Sequence, residues 1–227
     1  LNQSIFYAES GGQIGDVGNI RCGESNFKVT DTQKKENLII HYGMVSDGVF
    51  KIADVVELEI DINRRSSCRS YHSATHILHQ ALRDTLGDHV SQKGSLVSYD
   101  RLRFDFSHHK SLSEGEIKNI EGIVNNIINS NFNVETKLMK SEDAINSGAL
   151  ALFGEKYDDE VRVLSIGDNN SSSYSVELCG GTHVEKTSEI GNFKIISESS
   201  AASGIRRIEA LRGNDLIIYN ETRSKQI

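Results

Sequence analysis

Proline is absent from this 227-residue chain. Average usage is about 5%, so no turn or strand feature here can depend on a cis-prolyl bond. Cysteine is scarce. Cys22, Cys68 and Cys179 form an odd set that argues against a disulfide scaffold and suits a reducing compartment, where thiolates can serve as ligands. No apolar run approaches the roughly 20 residues that a membrane-spanning helix needs, so no membrane partner is expected. No secretory signal pattern is present either. An excess of positive charge is also missing. The net charge of −7 argues against broad electrostatic attachment to nucleic acid, and only local clusters remain: Arg64-Arg65, Arg101 with Arg103, and Arg206-Arg207 with Arg212. The chain starts at Leu1 rather than Met and reads as a piece of a longer protein. Its length suffices for one large or two small domains.

What is present first reads as β structure. Val56, Leu58, Ile60 and Ile62 alternate with Glu57, Glu59 and Asp61, the period of a half-buried strand. Shorter strands are expected at 27–30 and 38–42, and Gly11-Gly12, Gly15 and Gly18 mark turns; together these suggest a small barrel. A helix is expected from about Ser70 to Leu86, with Gly87 closing it. A second helix is marked by Ser113 and Glu116, spaced as a capping box, ahead of Ile117, Ile120, Val124, Ile127 and Ile128. Strands are expected at 134–139, 161–166, 174–178, 193–197 and 205–211, a polar loop at 168–173, and a last helix capped by Asn214. Helices mixed with strands in this order read as an α+β fold.

Two short pairs of metal-ligand residues lie far apart in the chain: His72 with His76, and Cys179 with His183. Residues four apart on a helix share a face, so the two histidines project side by side. Gly180-Gly181 permits a sharp turn that returns His183 beside Cys179. Neither pair holds a metal alone. A joint site needs the tertiary fold, and a thiolate among imidazoles favours zinc over magnesium or calcium. Taken singly, HxxxH and CxxxH are weak signals, and a solvated helix face explains the first equally well. Cys68 is eight positions from His76, roughly 12 Å along a helix, too far for one tetrahedral ion. His79 is either a support for the site or simply packed, and Cys22 is expected to be a small buried apolar residue. A metalloprotease is disfavoured because Ser73 stands where HExxH needs glutamate. A cytidine deaminase is disfavoured because HxE and CxxC are missing.

Longer runs carry a resemblance. HSATHILH from His72, QKGS from Gln92, RLRFDFSH from Arg101, ALFGEKY from Ala151, LCGGTHV from Leu178 and GIRRIEA from Gly204 resemble the editing domain of alanyl-tRNA synthetase. FYAESGGQ from Phe6, with Gly15-Asp16, is similar to the glycine-rich motif that precedes that domain. The runs occur in the family's order over nearly the whole chain. The resemblance implies three parts. A small N-terminal β-barrel with the glycine-rich motif covers 1–63, a zinc-dependent α+β editing core like that of threonyl-tRNA synthetase covers 64–213, and the start of a C-terminal helix covers 214–227. It implies hydrolysis of tRNA(Ala) mischarged with serine or glycine in the cytoplasm, with the acceptor end of that tRNA and the remaining synthetase domains as partners. Zinc would be held by His72, His76, Cys179 and His183. Thr75, Gln92 and Ser95 would be pocket residues, and Gly11, Gly12 and Gln13 a loop that modulates editing. Lys93, Arg101, Arg103, Arg206 and Arg207 are the candidate tRNA contacts.

Two alternatives stay open: a free-standing trans-editing deacylase, and a zinc-stabilised tRNA-binding module without turnover. So do two roles for zinc, activating water or positioning substrate. Four protein ligands make a closed site, which favours positioning.

Overall fold

The computed structural model of the chain describes residues 1–146, 148–150, 159–168 and 173–225. The ALFGEKY run at 151–157 and positions 169–172 of the expected polar loop lie outside the described residues. The fold is mixed, with three antiparallel sheets among the described residues.

The first sheet comprises β1 (Gly18–Cys22), β2 (Ser25–Lys35), β3 (Leu38–Asp47) and β4 (Glu57–Ile60), in the order β3-β2-β1-β4. It is open: among the described residues its edge strands β3 and β4 do not pair with each other, so the expected barrel is not closed. The strands explain why. β4 is only four residues long, and β3 is exposed or half-buried along its whole length, so it has no apolar row to wrap around an interior. Phe6, Ile20 and Val29 form a small core on one face.

The alternation starting at Val56 does not run through Ile62 as a strand. Asp61 breaks it by capping a helix, its carboxylate accepting from the Arg64 amide at 2.9 Å. That helix, α1 (Ile62–Leu86), begins eight residues before the expected start. Its first two turns are polar and carry no apolar period. From Ser70 to His79 every residue is buried, so α1 is a central helix enclosed on all sides. Tyr71, Ala74, Leu78 and Leu82 pack into the main core. His72, Ser73, His76 and His79 must instead find polar partners in the interior.

The second sheet has the order β10-β11-β6-β5, from β5 (Gln92–Val97), β6 (Leu102–Ser107), β10 (Phe193–Ala202) and β11 (Ile205–Arg212). The RLRFDFSH run thus contains a strand whose Leu102, Phe104 and Phe106 point inward. Helix α2 (Glu114–Asn129) covers the same core through Ile120, Val124 and Ile128, and the Ser113–Glu116 capping box starts it as expected. The third sheet joins β7 (Asn133–Lys140), β8 (Glu160–Gly167) and β9 (Ser175–Leu178), and a short helix, α3 (Ser141–Asn146), packs beside it. Helix α4 (Gly213–Ser224) closes the described chain. Its N-cap position is Arg212, not Asn214, and Asp215 in its first turn accepts from the Tyr71 hydroxyl at 2.8 Å.

The first sheet is tied to the centre at two points. Asp16, nearly fully buried, accepts from Arg65 of α1 at 2.9 Å and from the Tyr7 amide at 2.7 Å. The glycine-rich loop runs along the end of β5, where Val97 N donates to Gly12 O at 2.7 Å and Ile14 N donates to Val97 O at 3.1 Å. Only glycine fits at position 12. Its φ is +83°, and a Cβ there would lie 2.7 Å from the Ser95 carbonyl oxygen.

Candidate metal centre

Four donors converge where α1 passes the end of β9. His72 and His76 sit one helical turn apart with rings stacked at 5.2 Å. Cys179 directly follows β9, and Gly180-Gly181 turns the chain so that His183 comes back toward the helix. The ligand atoms of His72, His76, Cys179 and His183 all lie within 4.8 Å of one another. Cys179 Sγ is 3.4 Å from His72 Nε2 and 3.2 Å from His183 Nε2. His76 Nε2 is buried without a hydrogen-bond partner.

The other nitrogen of each ring is held. His72 Nδ1 meets Gln13 Oε1 at 2.7 Å, His76 Nδ1 meets Glu177 Oε2 at 2.7 Å, and His183 Nδ1 meets Ser73 Oγ at 3.3 Å. Three imidazoles anchored through Nδ1 therefore face one thiol with Nε2. Supports of this kind orient ligands around a metal. Three imidazole nitrogens and one sulfur, with one Nε2 orphaned in the interior, fit zinc.

The donors differ in charge. Burial pushes the Cys179 thiol up, but the facing His72 and His76 rings and the hydrogen bonds from His183 and His72 outweigh it, holding the group well below an ordinary thiol. It is a thiolate. Burial, reinforced by His72, pushes His183 down to about 3, so it is neutral and ready to donate a lone pair. Burial alone would lower His76, yet the charges of Glu177 and Cys179 raise it to about 10. Glu177 is only 2% exposed. Burial would raise it, but His76 and His79 hold it far below the usual carboxylate range. It bridges the two rings, with His79 Nδ1 at 3.1 Å from Oε1.

Two further residues set the turn. Gly181 lies against His72: a Cβ there would come 2.0 Å from His72 Cε1. Gln13, fully buried, reaches in from the glycine-rich loop. Its Oε1 accepts from the Thr182 amide at 3.0 Å as well as from His72, and its Nε2 donates to Thr182 Oγ1 at 2.9 Å. One amide thus clamps a ring of the helix pair to the loop of the other pair.

A cavity of about 300 Å³ opens on this centre, lined by His72, Thr75, His76, Gln92, Ser95 and Arg162 among others. The expected pocket residues Thr75, Gln92 and Ser95 therefore stand together at its wall. Thr75 Oγ1 donates to the Tyr71 carbonyl one turn back at 2.8 Å, which leaves its lone pairs free to accept. The five basic candidates do not line the cavity. Arg206 pairs with Glu198 at 2.5 Å, Arg207 grips Asp105 with two contacts of 2.7 Å, Arg103 is half-buried, and Lys93 and Arg101 are exposed. Among the described residues, the Lys and Arg side chains that line it are Lys34 and Arg162, with Arg162 Nη1 donating to Gly180 O at 3.1 Å. Neither stands out in the sequence: Lys34 and Lys35 are followed by Glu36, and Arg162 lies two residues from Glu160, so no net basic cluster marks either one. Glu177 has one weak signal: it sits two residues before Cys179, on the inward face of a strand.

Cys68 is buried and outside the donor set, its thiol pushed up to about 11 by burial. A larger groove of about 1090 Å³ on the first sheet is lined by apolar residues such as Ile20, Phe27 and Leu58. It holds no comparable donor group among the described residues. No described helix is long and apolar enough to cross a membrane.

Parts of the sequence match known families. Residues 161–209, which carry Cys179 and His183, match the threonyl and alanyl tRNA synthetase second additional domain. Residues 1–64 match the class II (A) tRNA synthetases. An alanine–tRNA ligase of Parvibaculum lavamentivorans is 54% identical over 223 residues, which cover 96% of this chain and 25% of that protein. The chain thus spans about a quarter of the length of this relative.

Proposed function

We propose, from the premise that this chain belongs to the alanyl-tRNA synthetase family as a fragment containing its editing domain, that it hydrolyses the ester of tRNA(Ala) mischarged with serine or glycine. The observation that carries this reading is the cavity, which is lined by Thr75 together with His72, His76 and Cys179 of a zinc-type donor set. The chemistry gives a reason for such a site. A pocket that selects alanine separates it from serine or glycine by only about 1–3 kcal/mol, so a second site must remove the wrong esters.

Thr75 is the specificity residue. With its own proton committed to Tyr71, its oxygen accepts from the serine hydroxyl. Alanine has no hydroxyl and leaves that acceptor unpaired. Gln92 and Ser95 on β5 supply further polar contacts to the aminoacyl group and to an attacking water. His72, His76, Cys179 and His183 would hold zinc, which would supply a fixed positive charge beside the reacting ester. Four protein ligands favour anchoring of the substrate over activation of water. Glu177, engaged by both His76 and His79, orients the rings and is not the general base. Lys34 and Arg162 face the acceptor-end phosphates, which reconciles a tRNA partner with the acidic net charge. Gly11, Gly12 and Gln13 tune the site through the Gln13 contacts to His72 and Thr182. Residues 1–63 carry the glycine-rich motif and 64–213 the editing core, and α4 follows. The activity belongs to a cytoplasmic synthetase acting in cis, with its other domains supplying the rest of the tRNA recognition.

Seryl-tRNA(Ala) given to the purified, zinc-loaded chain is expected to be deacylated, with loss of activity on chelation and recovery on adding zinc back. A folded, zinc-loaded chain that binds this tRNA without hydrolysing it would instead be a metal-stabilised RNA-binding module. The Thr75→Val variant is expected to narrow the preference for seryl over alanyl ester by about 1–3 kcal/mol, roughly 10–200-fold, as read from paired deacylation rates. An unchanged ratio removes Thr75 from this role.

A further inference from the structure

His89, His108 and His109 form a second cluster of metal-binding side chains that shares no residue with the first. Their ligand atoms all lie within 4.8 Å of one another. His89 stands in the turn after α1, His108 follows β6, and His109 precedes α2. His89 Nε2 and His108 Nδ1 are 2.9 Å apart, and the ring of His109 lies 5.2 Å from that of His108. The backbone beneath is fixed. The His89 carbonyl accepts from Ser107 Oγ at 2.7 Å, His108 N donates to Gly204 O at 3.0 Å, and Gly87 N closes α1 onto Arg83 O at 2.8 Å. Arg83 holds the turn on both sides of His89, at the Asp88 and Val90 carbonyls.

We propose that these three histidines bind a borderline transition-metal dication of the zinc, nickel or copper class. Three imidazoles without a carboxylate or carbonyl suit that class and not magnesium or calcium. Zinc–nitrogen bonds of about 2.0–2.1 Å in a tetrahedron set the donors about 3.3 Å apart. The present 2.9 Å therefore needs an opening of only a few tenths of an ångström, within reach of rings that are exposed or half-exposed. Three protein ligands leave one coordination position for water or a small anion. Bound metal would add a cross-link between the turn after α1 and the segment joining β6 to α2.

The test is metal stoichiometry on tag-free protein stripped with chelator and titrated with cobalt(II) and zinc(II). The wild type is expected to take up about two equivalents, a tight one with thiolate-to-cobalt charge transfer and a weaker one without it. His109→Ala alters an exposed side chain. It is expected to weaken the second equivalent about tenfold or more and leave the thiolate band intact. His72→Ala should do the reverse. Uptake of a single equivalent by the wild type, or a second equivalent equally tight in His109→Ala, overturns the proposal.

Discussion

Gly181→Ala is expected to weaken zinc binding by about 10–100-fold, the scale seen when supports of metal ligands are lost, and to remove with it the deacylation proposed above. The cause is steric. A Cβ on residue 181 would sit 2.0 Å from Cε1 and 2.3 Å from Nδ1 of His72, separations that no non-bonded pair tolerates. The ring must swing away. In doing so it gives up the 2.7 Å bond to Gln13 and carries Nε2 away from Cys179. The neighbouring residue supplies the control, because a Cβ on Gly180 meets nothing within 4 Å. Gly180→Ala should bind zinc like the wild type. Competition against a chromophoric chelator compares the two variants directly, and equal affinities would refute the steric account.

Glu177→Gln is expected to have the second large effect. It keeps the shape of the side chain and removes a charge that serves two buried imidazoles. Breaking a buried charged pair costs about 3–5 kcal/mol, and loss of the ring support adds about 10–100-fold in metal affinity. The stability loss in metal-free protein has a defined pH signature. The folded pKa of Glu177 is depressed from 4.5, so its contribution is present above about pH 4.5 and fades as pH falls below it. The folded pKa of His76 is raised from 6.5 to about 10, so its contribution is complete below about pH 6.5 and fades as pH rises toward 10. The wild type should therefore exceed the variant most between about pH 4.5 and 6.5, with the gap closing on either side. Urea unfolding at several pH values reads this directly, and a gap independent of pH would contradict the assignment.

The quartet of donors is legible in the sequence because each half obeys a local rule. A four-residue helical spacing places His72 beside His76, and a double-glycine turn returns His183 to Cys179. The main helices and most strands are legible for the same reason, with Ser113 and Glu116 marking a helix start by chemistry alone. What escapes is non-local or unpatterned. The first two turns of α1, with Arg64, Arg65 and Ser66, show no apolar period; the cap at Asp61 and enclosure by the rest of the fold make them helical. Leu102, Phe104 and Phe106 alternate plainly, yet they are more conspicuous as part of a family motif than as a strand. The open first sheet reads as a barrel because strand count and turns do not reveal whether the edges meet. Glu177 and Arg162 acquire meaning only when β8 and β9 are laid against α1. The basic clusters that the sequence offers do not reach the cavity, and Arg206 and Arg207 are spent on acidic neighbours across the sheet.

The Gln13 carboxamide joins an imidazole on the central helix to the turn that bears the thiol, and it does so from the glycine-rich loop ahead of the first sheet. Ion affinity and the docking of that loop are consequently linked. Whatever factor a bound ion adds to the tightness of the docked loop, a tightly docked loop must return to the ion, since such linkage is reciprocal. An event that loosens the amino-terminal strands, however remote from the donors, reports at the metal.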